Sequence, residues 1–234
     1  MNQKNTLRIE PLGFPWKTKD PFLFCVYHQD FFPQGNEELG PATSLTGRQI
    51  GQDFVIKDGW RMYHGKRIPG FPSHPHRGFE TVTVVRQGVV DHADSRGASG
   101  RYGNGDVQWM TAGSGIQHSE MFPMLNQRKN NTLELFQIWL NLPKHKKMVE
   151  PHFKMIWRNS IPVHRMLDND GHEIELHQYA GSFNGTVSPE TAPDSWAKDP
   201  KNEVAIWHIR LEAGSHWKLP ASRKGINRCL YFFQ

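Results

Sequence analysis

Short apolar runs with alternating or β-branched character recur along this chain, each closed off by glycine, proline, asparagine or aspartate. They fall at 22–27, 79–85, 107–111, 133–142, 174–177, 204–211 and 228–233. With 21 Gly and 16 Pro among 234 residues, no stretch keeps a 3.6-residue period long enough to build a substantial helix. The pattern predicts an all-β protein of sandwich or jelly-roll barrel type.

A length of 234 residues is enough for two small β domains with real cores. The strand rhythm breaks at Leu142-Pro143-Lys144-His145-Lys146-Lys147-Met148 and then resumes. The division expected is therefore 1–142 and 143–234. The basic run 144–147 reads as a solvated linker, since the net charge is only +5 and the other basic residues are scattered. No helix-turn-helix or zinc-finger pattern points to nucleic acid. No apolar run reaches the roughly 18 residues of a membrane span, and residues 1–8 lack a signal-peptide core. Cys25 and Cys229 are the only cysteines and read as unpaired thiols. A cytoplasmic protein is expected, or a nuclear one in a eukaryote.

Two short elements carry the chemistry. His74-Pro75-His76 and His118-Ser119-Glu120 each place two metal-capable side chains two residues apart, which on a strand puts both on one face. Side by side, such strands would aim three imidazoles and a carboxylate at one point. Chance pairs have to be weighed, because the chain has 13 His; a second pair in a second predicted strand favours a site. The set suits one divalent metal with positions left open for water or substrate. Fe(II) is the first choice, with Mn, Cu, Ni, Co or Zn as substitutes; a closed structural zinc site would call for cysteine. The second half has no matching His-x-His. Phe71, Phe79, Trp109, Met110 and Phe122 lie within a few positions of a candidate ligand. Each alone reads as core, but together they are candidates to line the open side of the metal.

The run from His74 through Arg77-Gly78-Phe79-Glu80-Thr81, then His92-x-Asp94-Ser95-x-Gly97, then 108–120 ending in His118-Ser119-Glu120, resembles the pirin family signature. The resemblance extends from about Asp20 to the end of the chain. It implies two tandem cupin barrels, one metal in the N-terminal barrel, and His74, His76, His118 and Glu120 as its ligands. By the same resemblance the second barrel stops short at Gln234, and an open sheet edge there would favour self-association.

Two carboxylates remain candidates. Cupins in general carry a Glu four residues after His-x-His, where Glu80 stands; it faces the ligands if alternation holds through Arg77-Gly78-Phe79. Its chain separation from His76 is roughly 13 Å, against about 7 Å between His118 and Glu120. Glu120 is preferred as ligand and general base, with Glu80 in a supporting hydrogen bond around the site. The resemblance further implies a quercetin 2,3-dioxygenase type of reaction, in which a small aromatic chelator is opened by O2. The alternative it offers is a metal- or redox-responsive regulator that binds a transcription factor or a metabolic enzyme without turnover. A cupin-type sugar isomerase fits less well, because the candidate pocket residues are apolar.

Overall fold

The computed structural model describes residues 9–234; the reading of 1–8 as lacking a leader core lies outside the described residues. Strand makes up 42% of the chain and helix 5%, the latter as short 3-10 turns such as Lys144–Lys146. Nine strands build the first unit. They are β1 (Phe22–Phe32), β2 (Gly70–His76), β3 (Phe79–Gln87), β4 (Val89–Asp94) and β5 (Ser99–Gly103), followed by β6 (Val107–Thr111), β7 (Ile116–Met121), β8 (Asn131–Asn141) and β9 (His152–Ile156).

These strands form two antiparallel sheets, ordered β1-β8-β3-β6-β9 and β2-β7-β4-β5. Side chains alternate between the faces of each strand, and the inward set binds the two sheets together. Phe32, Val85, Leu133 and Leu135 of the first sheet pack with Val90 and Tyr102 of the second, with Phe122 just after β7, and with Trp60, Met62 and Tyr63 from the long β1–β2 connection.

The outward face of the five-stranded sheet is buried as well. Val82, Val84, Val107, Trp109, Phe136, Ile138 and Leu140 pack against Trp16, Ile161, Tyr179, Ala180, Ala192 and Val204. The last five of those partners come from the second unit. That unit comprises β10 (Val163–Leu167), β11 (Glu173–Ala180), β12 (Ser182–Phe183), β13 (Thr186–Val187) and β14 (Ile206–Leu211). Its strands form a β10-β11-β14 sheet and a β12-β13 hairpin. β3 is consequently buried at six consecutive positions, from Glu80 to Val85. That explains why its sequence reads as a continuous β-branched run instead of a clean alternation.

Two features at the joint between the units were not evident from sequence. β9 follows Pro143, yet it completes the first sheet by pairing with β6, from Val107↔Ile156 to Thr111↔His152. The basic run between them is partly tied down: Lys147 donates to the carbonyl of Gly78 (2.9 Å) and to Asn141 (2.6 Å). Cys25 is buried and Cys229 exposed, and both are free thiols.

Glu80 requires a correction. The chain turns at Gly78, which has φ +77, and passes from the second sheet into the first, so alternation does not run on from His76. Glu80 therefore points to the outward face, away from the histidines, and is fully buried. It accepts hydrogen bonds from Trp109 Nε1 (2.9 Å), Thr111 Oγ1 (2.8 Å), Ser195 Oγ (2.9 Å) and the Trp196 backbone N–H (3.2 Å). Burial pushes this carboxyl above the usual range, against the pull of those donors. The residue latches the second unit onto the first. Glu80→Ala strands several buried donors and is expected to cost about 3 kcal/mol of stability, read as a lower urea midpoint. Glu80→Gln keeps part of the network and should cost less.

Candidate metal centre

The histidines sit where the β2–β7 ladder fixes them. His74 is the direct cross-strand partner of His118, and His76 lies opposite Ile116. The ring centroids of His74 and His118 are 4.5 Å apart, those of His74 and His76 4.8 Å, and those of His76 and His118 4.9 Å. One nitrogen from each ring falls within 4.8 Å of the other two. The donor set fits a cation on two observations. His76 Nε2 and His118 Nε2 are buried without any hydrogen-bond partner, which is costly for a polar atom unless something else is to be bound there. His74 Nδ1 donates to the Pro72 carbonyl at 2.9 Å, leaving its Nε2 lone pair free.

His118 has a support that sequence reasoning missed. Its Nδ1 lies 3.4 Å from His92 Nδ1, and His92 Nε2 lies 3.0 Å from Asp94 Oδ2. Burial opposes ionisation of Asp94, but hydrogen bonds from His92 and from the Arg96 and Ala98 backbone outweigh it and hold the carboxyl below its usual range. An ionised Asp94 accepts a hydrogen bond from His92 Nε2–H, which keeps that proton on Nε2. His92 Nδ1 is then an acceptor for His118 Nδ1–H, and His118 Nε2 is left as a lone pair. The His92 ring stacks on Phe153 of β9 at 4.6 Å. The signal was available: His92 and Asp94 stand two apart on β4, the same spacing that singled out His74 and His76.

Glu120 lies two residues beyond His118 on β7 and is buried. Its carboxylate is turned toward the first sheet: Oε1 is 2.9 Å from Thr83 Oγ1, and Oε2 accepts from Gln137 Nε2 at 2.9 Å. It shares a cavity of ≈ 230 Å³ with His74 and His76. β1, β3 and β8 wall that cavity on one side with Phe24, Val26, His28, Thr83, Leu135, Gln137 and Trp139; Phe71 and Phe122 face them from the other sheet, and Phe14 and Phe54 complete the lining.

Of the expected lining residues, Phe71 and Phe122 are in place. Phe79 stands behind His76, with ring centroids 5.1 Å apart, and against Trp139. Trp109 is a correction: it belongs to the outward core with Glu80, because odd positions on β6 face that way. Met110 faces inward but packs with Ala112 and Ile116 away from the cavity. The lining residues that sequence missed include His28, Trp139, Phe24 and Gln137, which lie far from the ligand motifs in sequence.

A second cluster, Asp168, Asp170 and His172, has a different explanation. The Asp168 carboxylate accepts backbone N–H groups from Asp170, His172 and His216, so it closes a turn.

An antiparallel β-sandwich with a histidine cluster on the inner wall of its cavity defines a protein of the cupin class. The family model described as Pirin matches residues 36–140, so that part of the chain is a pirin-type domain. It is 42% identical over 150 residues to a Pseudomonas aeruginosa protein provisionally named a quercetin 2,3-dioxygenase, covering 64% of this chain and 49% of that protein. It is 47% identical over 120 residues to Pirin-1 of Arabidopsis thaliana, covering 51% of this chain and 38% of that protein. A crystal structure of quercetin 2,3-dioxygenase from Acinetobacter baumannii matches with a TM-score of 0.54 and 32% identity, covering 74% of this chain and 49% of that one. The chain thus spans half or less of the length of these relatives. Among the described residues, no helix is long and apolar enough to cross a membrane.

Two outcomes follow. His76→Ala should strip most bound metal while far-ultraviolet circular dichroism stays unchanged, and Asp94→Asn should weaken metal affinity by about 10–100-fold in a chelator competition titration. The second concerns acid. Burial first, and neighbouring imidazoles next, lower His76 and His118 to about 3, and burial with Arg61 does the same to His28. Below about pH 6.5 the unfolded chain takes up protons that these folded groups refuse. Metal-free protein should therefore lose stability steadily as pH falls from about 6.5 toward 3, measured as a falling Tm. Proton competition for metal likewise sets in below the free-imidazole range.

Proposed function

We propose that this chain is a metal-dependent dioxygenase of the quercetinase type, acting with O2 on a flavonol-like aromatic chelator. The observation that carries the reading is the cluster of three histidines, two with buried unpartnered nitrogens, of which His74 and His76 line an aromatic-walled cavity. His74, His76 and His118 would hold one divalent metal, with Fe(II) the preferred ion and Glu120 the fourth ligand. Three imidazoles and a carboxylate suit such an ion and leave positions for a bidentate oxygen ligand. When bound, the metal supplies a Lewis-acid position that polarises substrate oxygens and lets dioxygen react there.

The remaining steps belong to the protein. Phe24, Phe71, Phe122 and Trp139 receive the flat apolar rings and exclude water. Glu120 takes the proton of the chelating hydroxyl onto a carboxylate oxygen. Thr83 and Gln137 hold that carboxylate at the cavity wall before the substrate arrives. Names carried by the relatives support the same reading.

Glu120→Gln should abolish quercetin-dependent oxygen uptake, a loss of at least about 10²-fold, and should weaken metal binding. Glu80→Gln, on the far face of the sheet, should lower thermal stability with little effect on turnover per folded molecule. An oxygen electrode and elemental analysis on both variants check this. Full metal loading of the unaltered protein with no oxygen uptake would sink the oxygenase reading and favour a binding role.

A further inference from the structure

A second polar chain runs from the inner face of β1 to the long β1–β2 connection, and the reaction described above does not use it. Arg61 donates through Nε to Asp30 Oδ1 and through Nη2 to Asp30 Oδ2, both at 3.0 Å, in a buried ion pair. The Tyr63 hydroxyl donates to Asp30 Oδ2 at 2.5 Å and lies 2.8 Å from His28 Nδ1. Both Asp30 oxygens already receive N–H groups from Arg61, so this carboxylate only accepts, and Tyr63 spends its single proton on it. The Tyr63 oxygen must then accept from His28. That fixes the proton on His28 Nδ1 and leaves Nε2 as a bare lone pair.

His28 itself lines the cavity. Among the described residues nothing hydrogen-bonds to its Nε2, and that atom is not one of the fully enclosed orphans. Burial, with the Arg61 charge adding to it, lowers this imidazole to about 3, so it is neutral at physiological pH. The other cavity positions of β1 are the apolar Phe24 and Val26. A histidine held in one tautomer by three further buried side chains is a costly way to fill such a wall. The Phe71 ring lies 6.2 Å from His28 and 6.3 Å from His74, so a flat polycyclic ligand seated on Phe71 spans from one histidine to the other.

We propose that His28 reads the ligand: its Nε2 accepts a hydrogen bond from a ring hydroxyl of an aromatic whose chelating oxygens face His74, His76 and His118. The inference rests on the flavonol reading above and adds the feature that reading lacks, a preference for polyhydroxylated rings. An acceptor without a proton favours a phenol over a bare C–H or an ether oxygen, because a ligand lacking the donor leaves the lone pair unpaired.

The test is a binding titration, not turnover. Full-length protein loaded with Ni(II) is titrated under nitrogen, by absorbance, with quercetin and with 3-hydroxyflavone, which keeps the chelating oxygens but lacks the other hydroxyls. The unaltered protein should prefer quercetin by roughly fivefold to tenfold. In His28→Phe the ratio should fall close to one, with nickel content unchanged. Tyr63→Phe, which keeps the imidazole but removes the group that sets its tautomer, should lower the ratio part of the way. It serves as the readout if His28→Phe does not fold. An unchanged ratio in either folded variant, or equal binding of both compounds to the unaltered protein, overturns the role of His28 and leaves the flavonol reading standing. Failure of the unaltered protein to bind either compound overturns both.

Discussion

The five-stranded sheet has no solvent face over its central strands, and the rest of the molecule is arranged around that fact. A strand presents successive side chains to opposite sides, so β3 must serve two environments at once. Thr83 looks toward the cavity, where it meets Glu120 and Gln137. Glu80, three residues earlier, looks the other way and gathers Trp109, Thr111, Ser195 and Trp196. A one-residue slip in the β3 pairing would exchange these two sets and turn the latch carboxylate toward the cavity side. The second unit, by burying the outward face, makes that slip expensive and so holds the inner wall in register.

Two chains of buried polar groups share one logic. Asp94–His92–His118 and Asp30–Tyr63–His28 each begin at a carboxylate and end at an imidazole whose remaining nitrogen is left without a proton. In both, the carboxylate is anchored by donors, from the Arg96 and Ala98 backbone in one case and from Arg61 in the other. Burial keeps His28 and His118 neutral. The interior thus sets which nitrogen is basic by hydrogen bonding and prevents its loss to protonation by desolvation.

How much of this was legible in the sequence depends on how local the cause is. The all-β class and the grouping of His74, His76 and His118 follow from period-2 spacing, which a strand cannot disguise. The reading of Glu80 carried that spacing through Gly78, where the chain changes sheets and the parity resets. Trp109 was read by proximity to His118, but nearness in sequence says nothing of which face a side chain takes. His28, Tyr63, Asp30 and Arg61 come from segments separated by more than 30 positions, and no local pattern joins them. His92 and Asp94 were visible as a pair, but their connection to His118 is a cross-strand one, with Asp94 paired to His118 itself.

The position of β9 bears on when the molecule can become itself during synthesis. β1 finds its partner in β8, about a hundred residues later, so although β3 and β6 can pair earlier, β1 joins the first sheet only when most of the first unit has been made. Its far edge then waits for 152–156, and with it Phe153, the platform beneath His92. Such non-local pairing folds slowly, and a nascent chain leaving the ribosome carries its histidine motifs exposed and unsupported for that interval. Stray metal ions in the cell would meet those imidazoles as loose, unselective ligands before the cavity closes around them. For a chain that takes up an ion as proposed, the order of folding and metallation would then decide which ion is trapped.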